Sequence, residues 1–253
     1  MTPLIIFKSL IFFQFLLVSA QYGRCPTSFS CGYLGQITFP FTVTQHPHCG
    51  TLAIRDCNET AAPKSIQLGC PPSKQVFNVT YLEGDTITIT DNEAHRKNLL
   101  SKNCQAFHNF PLPPTSPLAY FYIKFNITMF KCNRSLKVTP PKSFQNYTNC
   151  PGYHIYYDLQ NTTIPPPVEV PSSLAQCTQC HVAIRDSPTN DPFEFISPQI
   201  SIVVKLSDDC NKCRHHQGGR CQLGIQGKFH CAEGMLSQYM HIVKKSLGEG
   251  RLS

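Results

Sequence analysis

Apolar and polar residues alternate along several stretches of this chain, with the period of two residues that is typical of β-strands. Residues 76–82 and 86–90 alternate on either side of a turn that contains Gly84, so together they predict a β-hairpin. Residues 120–131 and 199–206 show the same alternation over longer runs. The pattern therefore predicts a mainly β protein.

Three further stretches are rich in β-branched and aromatic residues and are predicted as strands: 36–43, 51–55 and 153–159. In the first of them Pro40 indicates an edge strand or a strand end. A cysteine followed by glycine flanks this strand on each side, at Cys31-Gly32 and Cys49-Gly50. Because glycine accepts a positive φ without steric cost, we expect a disulfide-linked β-element with tight turns here.

The first 20 residues have the features of a secretory signal peptide. They contain one charged residue, Lys8, followed by the apolar run 10–18 and a small residue at Ala20, after which cleavage is expected. The alternative is an uncleaved membrane anchor, but the apolar run is shorter than the ~20 residues that a span needs. We therefore expect a mature chain that is secreted to the extracellular space or cell wall and has no transmembrane helix.

The sequence contains 14 cysteines, all of them beyond the predicted signal peptide. An even number in a secreted chain predicts a disulfide framework, because the compartment is oxidising. Two Cys-X-X-Cys pairs also have the spacing of a zinc ribbon or a redox motif, but disulfides are favoured here and no metal is predicted. The predicted disulfide cysteines are Cys25, Cys31, Cys49, Cys57, Cys70, Cys104, Cys132, Cys150, Cys177, Cys180, Cys210, Cys213, Cys221 and Cys231.

Six Asn-X-Ser/Thr sequons predict a glycoprotein, with non-use as the alternative at any one of them. Within the alternating runs, Asn78 and Asn126 both fall on the polar face, where a strand can carry a glycan. The predicted glycosylation sites are Asn58, Asn78, Asn126, Asn133, Asn146 and Asn161.

Composition indicates a loop-rich β protein, since the chain has 21 prolines, no tryptophan and 15% charged residues. The proline-rich stretch 109–118 is a predicted linker, because proline disrupts both helix and sheet. It separates two small disulfide-rich β domains, 21–108 with six cysteines and 119–234 with eight, and each is expected to close its own bridges. The tail at 235–253 is predicted to be a short helix or disordered.

The chain carries a mild positive charge and no recognisable catalytic motif. The formal net charge of +7 includes Lys8, which leaves 7 − 1 = +6 for the mature chain, and no basic patch indicates nucleic-acid binding. Two carboxylate pairs of the kind used by glycosidases, Asp85 with Asp91 and Glu194 with Asp209, are interpreted as solvated surface acids. The sequence therefore predicts neither an enzyme nor a cofactor.

The last cysteine cluster resembles the end of an EGF-like module. Four cysteines lie within 22 residues between Cys210 and Cys231, with Gly218-Gly219 among them for a tight turn and Phe229 two residues before the last cysteine. In such modules disulfides replace a core that is too small to be stable alone.

This cluster and the earlier pattern Cys31-Gly32…Ile37-Thr-Phe-Pro-Phe…Cys49-Gly50 make the chain similar to the extracellular part of plant wall-associated receptor kinases and leaf-rust-resistance receptor-like kinases. The first half resembles their galacturonan-binding domain, and the second half resembles their C-terminal wall-associated module. The chain departs from the family after Cys231, where Glu233 replaces a closing cysteine, and the sequence contains no kinase. Kinase activity and the membrane anchoring of the full-length relatives are therefore not expected here.

The resemblance implies a secreted, non-catalytic protein that binds de-esterified pectin, whose carboxylates call for cationic or amide donors. The alternative is a soluble receptor-like interaction protein or decoy that pairs with full-length receptor kinases. Capture of receptor ectodomains in the absence of pectin would favour that alternative. The candidate pectin-binding residues are Arg55, Lys64, Lys74, Arg96, Lys97, Lys102, His46 and His48.

Overall fold

The computed structural model is mainly β and describes residues 25–69, 72, 74–159, 170–185, 189, 191–223 and 227–232. The strands are β1 (Ser28–Ser30), β2 (Gln36–Thr38), β3 (Phe41–Val43), β4 (Leu52–Arg55), β5 (Ser65–Leu68), β6 (Gln75–Glu83), β7 (Thr86–Thr90), β8 (Ala119–Ile123), β9 (Asn126–Asn133), β10 (Gln145–Tyr147), β11 (Tyr153–Tyr157), β12 (Thr178–Ala183), β13 (Gln199–Leu206), β14 (Arg220–Leu223) and β15 (Phe229–Ala232). The α-helices are α1 (Glu93–Leu100), α2 (Pro192–Phe195) and α3 (Asp208–His216). The predicted signal peptide, the tail at 235–253, Cys70 and Asn161 lie outside the described residues.

A seven-stranded sheet with the order β3-β4-β5-β6-β7-β13-β8 organises the first core. Its pairs are antiparallel apart from β3 with β4, and β6 and β7 form the predicted hairpin. The side chains of Ile54, Phe77, Ile89 and Ile202 are buried together in this core. Four strands from distant parts of the chain therefore share one apolar cluster.

A four-stranded antiparallel sheet with the order β10-β11-β9-β12 organises the second core. Met129 and Tyr157 of this sheet are buried with Phe107 and with Phe195 of α2. Two short hairpins, β1 with β2 and β14 with β15, complete the sheets of the described residues.

The sheets do not divide at the predicted linker. Strands β8 and β13 come from the second half of the chain, yet they complete the sheet that the first half begins. A disulfide between Cys104 and Cys150 also joins the two halves, so the prediction that each half closes its own bridges is wrong at this pair. The proline-rich stretch packs onto the first core instead of separating two bodies, and the Phe110 and Phe77 ring centroids are 4.9 Å apart.

Six disulfides among the described residues confirm the predicted disulfide-rich class. They join Cys25 to Cys49, Cys31 to Cys57, Cys104 to Cys150, Cys132 to Cys177, Cys210 to Cys221 and Cys213 to Cys231. Cys180 differs from the prediction, since it is a free thiol buried in the second core. Burial raises the pKa of this thiol to about 11, so it remains protonated and unreactive at neutral pH. The two Cys-X-X-Cys pairs do not form a zinc ribbon either, because three of their four cysteines, Cys177, Cys210 and Cys213, are in disulfides.

The closing cysteine cluster is built from α3 and the hairpin β14–β15. The helix α3 was not predicted from the sequence. Ser207 caps it by accepting a hydrogen bond from the Cys210 backbone N–H. At Gly219 a Cβ atom would lie 2.6 Å from Sγ of Cys231 and 2.9 Å from Sγ of Cys213. This glycine therefore leaves the space in which the last disulfide packs.

Two predicted strand faces are interrupted. A register shift between Val79 and Tyr81 in the pairing of β6 with β7 turns Tyr81 outward, where it is exposed rather than on the buried face. The predicted single strand 120–131 is divided into β8 and β9, and Phe125 between them is exposed. In both places the alternation changes face because the backbone pairing changes.

Candidate functional site

The predicted pectin-binding cations do not form one patch. Lys97 forms an exposed ion pair with Glu93 at 3.0 Å, and Lys102 forms one with Asp191 at 2.6 Å. The hydrogen bond from Lys102 to Asp191 raises the pKa of this lysine. Both cations are therefore already matched with carboxylates of the chain itself.

Three other candidates, His46, His48 and Arg96, lie at two further places. His46 stacks on the Phe29 ring at a centroid distance of 5.4 Å, and its ring also meets the edge of His48. Arg96 is exposed on α1 and lines a depression that it shares with Arg185. Arg96 also lines a depression together with its neighbour Lys97, whereas neither histidine lines the cleft that holds Arg55 and Lys74.

Lys64 is fully buried and cannot contact a sugar in this structure. Its ammonium group donates to the backbone carbonyl oxygen of Asp56 at 2.7 Å and to that of Glu59. The side chain runs beneath Gly32, where a Cβ atom would lie 2.8 Å from Cε of the lysine. The predicted binding role of Lys64 is therefore wrong, because its charge holds the loop at 56–59 in place.

Arg55 and Lys74 line one open cleft of about 650 Å³, which we call the β4–β5 cleft. Much of the remaining lining consists of hydroxyl and amide side chains, contributed by Thr44, Gln45, Thr51 and Gln67. The predicted glycosylation site Asn58 also lines the cleft. Pro113 and Pro114 of the proline-rich stretch form another part of it. The cleft thus combines two cations and two carboxylates, those of Asp56 and Glu59, with several neutral hydrogen-bonding groups.

The loop that Lys64 anchors forms a wall of the β4–β5 cleft, since Asp56, Asn58 and Glu59 all line it. Oδ2 of Asp56 accepts a hydrogen bond from the Ser65 hydroxyl at 3.1 Å, which fixes this carboxylate. Carboxylates beside cations accept hydrogen bonds from hydroxyl groups of a ligand. The mixed charge therefore suits a ligand that carries both carboxylates and hydroxyl groups.

A second cleft, of about 400 Å³, joins the Cys25–Cys49 disulfide to the closing cysteine cluster. In it the Arg214 guanidinium carbon lies 4.3 Å from the centroid of the Phe39 ring, and Arg220 donates to the Cys25 carbonyl oxygen at 2.6 Å. Burial lowers the pKa of Arg214. Sequence reasoning missed this cleft because its two sides are almost 200 residues apart along the chain, and no local signal connects them. Its two guanidinium groups already have partners, so it is the weaker candidate for binding an anionic ligand.

The sequons differ in their accessibility. Asn58, Asn78, Asn133 and Asn146 are exposed, as a glycan requires. Asn126, predicted on a polar face, is instead buried, and its Nδ2 donates to the Ile123 carbonyl oxygen at 2.8 Å. The interruption between β8 and β9 places this asparagine inside the fold.

We expect Asn126 to carry no glycan in protein secreted from eukaryotic cells, whereas Asn78 is expected to be occupied. A glycan is attached at the asparagine Nδ2, and at Asn126 this atom has no room for one. Site-resolved glycopeptide mass spectrometry measures both occupancies. As a control, an Asn78→Gln variant is expected to lose the mass of one glycan. High occupancy of Asn126 in the folded, secreted protein would contradict the expectation.

Comparison with family models, with curated proteins and with solved structures found no match for this chain. None of the helices in the described part of the chain has the length and apolar character needed to cross a membrane. The choice of function therefore depends on the chemistry of the β4–β5 cleft and on the cysteine-glycine patterns of the sequence.

Proposed function

We propose that this chain is a secreted, non-catalytic protein that binds an acidic cell-wall polysaccharide, de-esterified pectin, in the β4–β5 cleft. The observation that carries the proposal is the position of Arg55 and Lys74, two predicted cations that line the same open, polar cleft. The resemblance of the first half to galacturonan-binding domains supports the same ligand. The predicted signal peptide and sequons support an extracellular location, where such a polysaccharide is found.

The lining of the cleft matches the repeating chemistry of polygalacturonate, which presents one carboxylate and several hydroxyl groups per sugar. Arg55 can bind a carboxylate with two parallel hydrogen bonds, and Lys74 adds a compact positive charge. Thr51 and Gln67 offer neutral donors and acceptors for sugar hydroxyls. Since single charge contacts at a surface contribute little and are screened by salt, binding is expected to be multivalent and to weaken as ionic strength rises.

The double variant Arg55→Gln/Lys74→Gln is expected to bind polygalacturonate about tenfold more weakly than the wild type. Two exposed charge contacts together contribute about 1.4 kcal/mol, which corresponds to this factor. Calorimetry with an oligogalacturonide at low and at physiological salt measures the change, and fully methyl-esterified oligomers test the need for carboxylates. The matched control is Lys137→Gln/Lys142→Gln, since both lysines are exposed and neither lines the cleft, and its affinity is expected to stay within about twofold.

Three outcomes would count against the proposal. Equal affinity of the double variant and the wild type would exclude the β4–β5 cleft as the binding site. Failure of the wild type to bind oligogalacturonide at low salt would exclude the pectin ligand itself. Capture of receptor ectodomains by the wild type without any pectin would favour an interaction protein instead.

A further inference from the structure

Asp91, His95 and His108 converge at the start of α1. Asp91 directly follows β7, His95 lies in the first turn of the helix, and His108 follows the disulfide-bonded Cys104. One potential ligand atom from each of the three residues lies within 4.8 Å of the other two. Asp91 was predicted from the sequence to be a solvated surface acid, but only 6% of its surface is exposed.

His95 is buried without the hydrogen bonds that an imidazole needs. Only 6% of its surface is exposed, and its Nδ1 is buried with no hydrogen-bond partner among the described residues. Its Nε2 lies 3.8 Å from Oδ2 of Asp91, which is longer than a hydrogen bond. Neither ring nitrogen is therefore engaged by a hydrogen bond of ordinary length, so Nε2, which faces Oδ2 of Asp91, is available to a ligand.

The other two residues are already oriented as metal ligands usually are. The Nδ1 of His108 lies 3.3 Å from the Gln105 carbonyl oxygen, and a hydrogen bond donated to that oxygen leaves the Nε2 lone pair available. Metal-bound histidines typically donate their second ring N–H to a carbonyl or carboxylate in this way. Asp91 likewise uses Oδ1 to accept from the Asn92 backbone N–H at 2.6 Å, which leaves Oδ2 on the side of His95.

We propose that Asp91, His95 and His108 bind a divalent transition metal, with zinc as the best fit to two imidazoles and one carboxylate. Ligand atoms around a tetrahedral zinc lie about 3.4 Å apart. The 3.8 Å between Asp91 and His95 therefore needs to contract by about 0.4 Å, and no distance within the group by more than about 1.4 Å. His108 is exposed and lies outside the regular elements, so its ring can make this movement. Three protein ligands leave the fourth position for water, and the ion would join the start of α1 to the segment that leads into the proline-rich stretch.

The second group of metal-binding residue types in the described chain supports no such site. It consists of Cys25, His48 and Cys49, and the two cysteines are bonded to each other, so their sulfur atoms are not thiolate ligands. The cluster at α1 contains no cysteine and is unaffected by the oxidising environment expected for this chain.

The test uses the full mature chain, secreted without a histidine tag, stripped with EDTA and then titrated separately with Zn²⁺ and Co²⁺. We expect one ion per chain, a visible Co²⁺ absorption band of a low-coordinate site, and a rise in the unfolding temperature with Zn²⁺. His108→Gln is expected to weaken binding more than about 100-fold, since even the loss of a residue that only supports a ligand costs 10- to 100-fold. The matched control is His216→Gln, an exposed histidine at the end of α3, which is expected to leave the affinity unchanged.

Three results would overturn the site: no stoichiometric binding of either ion to the wild type, unchanged affinity in His108→Gln, or loss of affinity in His216→Gln to the same extent. His95→Gln provides a second variant with the same expected loss, and circular dichroism verifies that each variant is folded. None of these measurements depends on pectin, so the metal site can fail or stand independently of the proposed function.

Discussion

Replacing Lys64 by methionine is expected to lower the free energy of unfolding by about 3 kcal/mol. The substitution keeps most of the buried hydrocarbon chain but removes the ammonium group, which donates to the carbonyl oxygens of Asp56 and Glu59. Hydrogen bonds from a charged donor contribute about 1.5–3 kcal/mol each, and the carbonyl groups are left without this donor. Urea unfolding followed by circular dichroism measures the change, because the chain has no tryptophan for fluorescence.

Lys97→Met is the matched control for this experiment. Lys97 belongs to the same residue type, but its side chain is exposed and its ion pair with Glu93 lies on the helix surface. Such pairs contribute about 0.5 kcal/mol or less, so the stability of this variant should hardly change. Equal losses in the two variants would show that Lys64 does not hold the loop at 56–59.

Replacing Gly50 by alanine is also expected to cost about 3 kcal/mol, at the upper end for overpacking. The φ of Gly50 is −158°, which any residue adopts, so the cost is purely steric. An added Cβ would lie 2.7 Å from the Pro40 carbonyl oxygen and 2.9 Å from the Phe41 carbonyl carbon. These are backbone atoms, and the same Pro40 oxygen accepts a hydrogen bond from the Thr51 N–H at 2.7 Å, so relief of the clash disturbs the pairing of β3 with β4.

Gly84→Ala separates this steric effect from the general cost of losing a glycine. Gly84 lies in the turn between β6 and β7 with a φ of +58°, and an added Cβ there meets nothing within 4 Å. Its substitution is expected to cost about 1 kcal/mol through backbone strain alone. A smaller loss of stability in Gly50→Ala than in Gly84→Ala would contradict the close approach at Pro40.

Local alternation was sufficient to predict the hairpin β6–β7 and the strand β13, because their side-chain pattern reflects one buried and one open face. It failed where a partner strand changes the face. Tyr81 turns outward because of a register shift against β7, and Asn126 turns inward because β8 and β9 belong to different sheets. Neither change of face can be predicted from the residues of the strand itself.

The site could be predicted only in part, for a similar reason. Arg55, Lys64 and Lys74 look alike in the sequence, because none of them has another cation beside it. The fold buries Lys64 beneath Gly32 and places Arg55 and Lys74 on one cleft, through contacts between segments that are distant along the chain. The contact of Arg214 with Phe39 is more distant still, so only the folded chain shows it.

The position of β13 between β7 and β8 affects how this protein folds during its synthesis on the ribosome. The edge of β7 has no partner until residues 199–206 have been synthesised, so the large sheet stays incomplete while most of the polypeptide is being made. During that interval its free N–H and C=O groups can pair with other nascent chains. Productive maturation of this chain is therefore expected to rely on protection of that edge by chaperones until the late strand arrives.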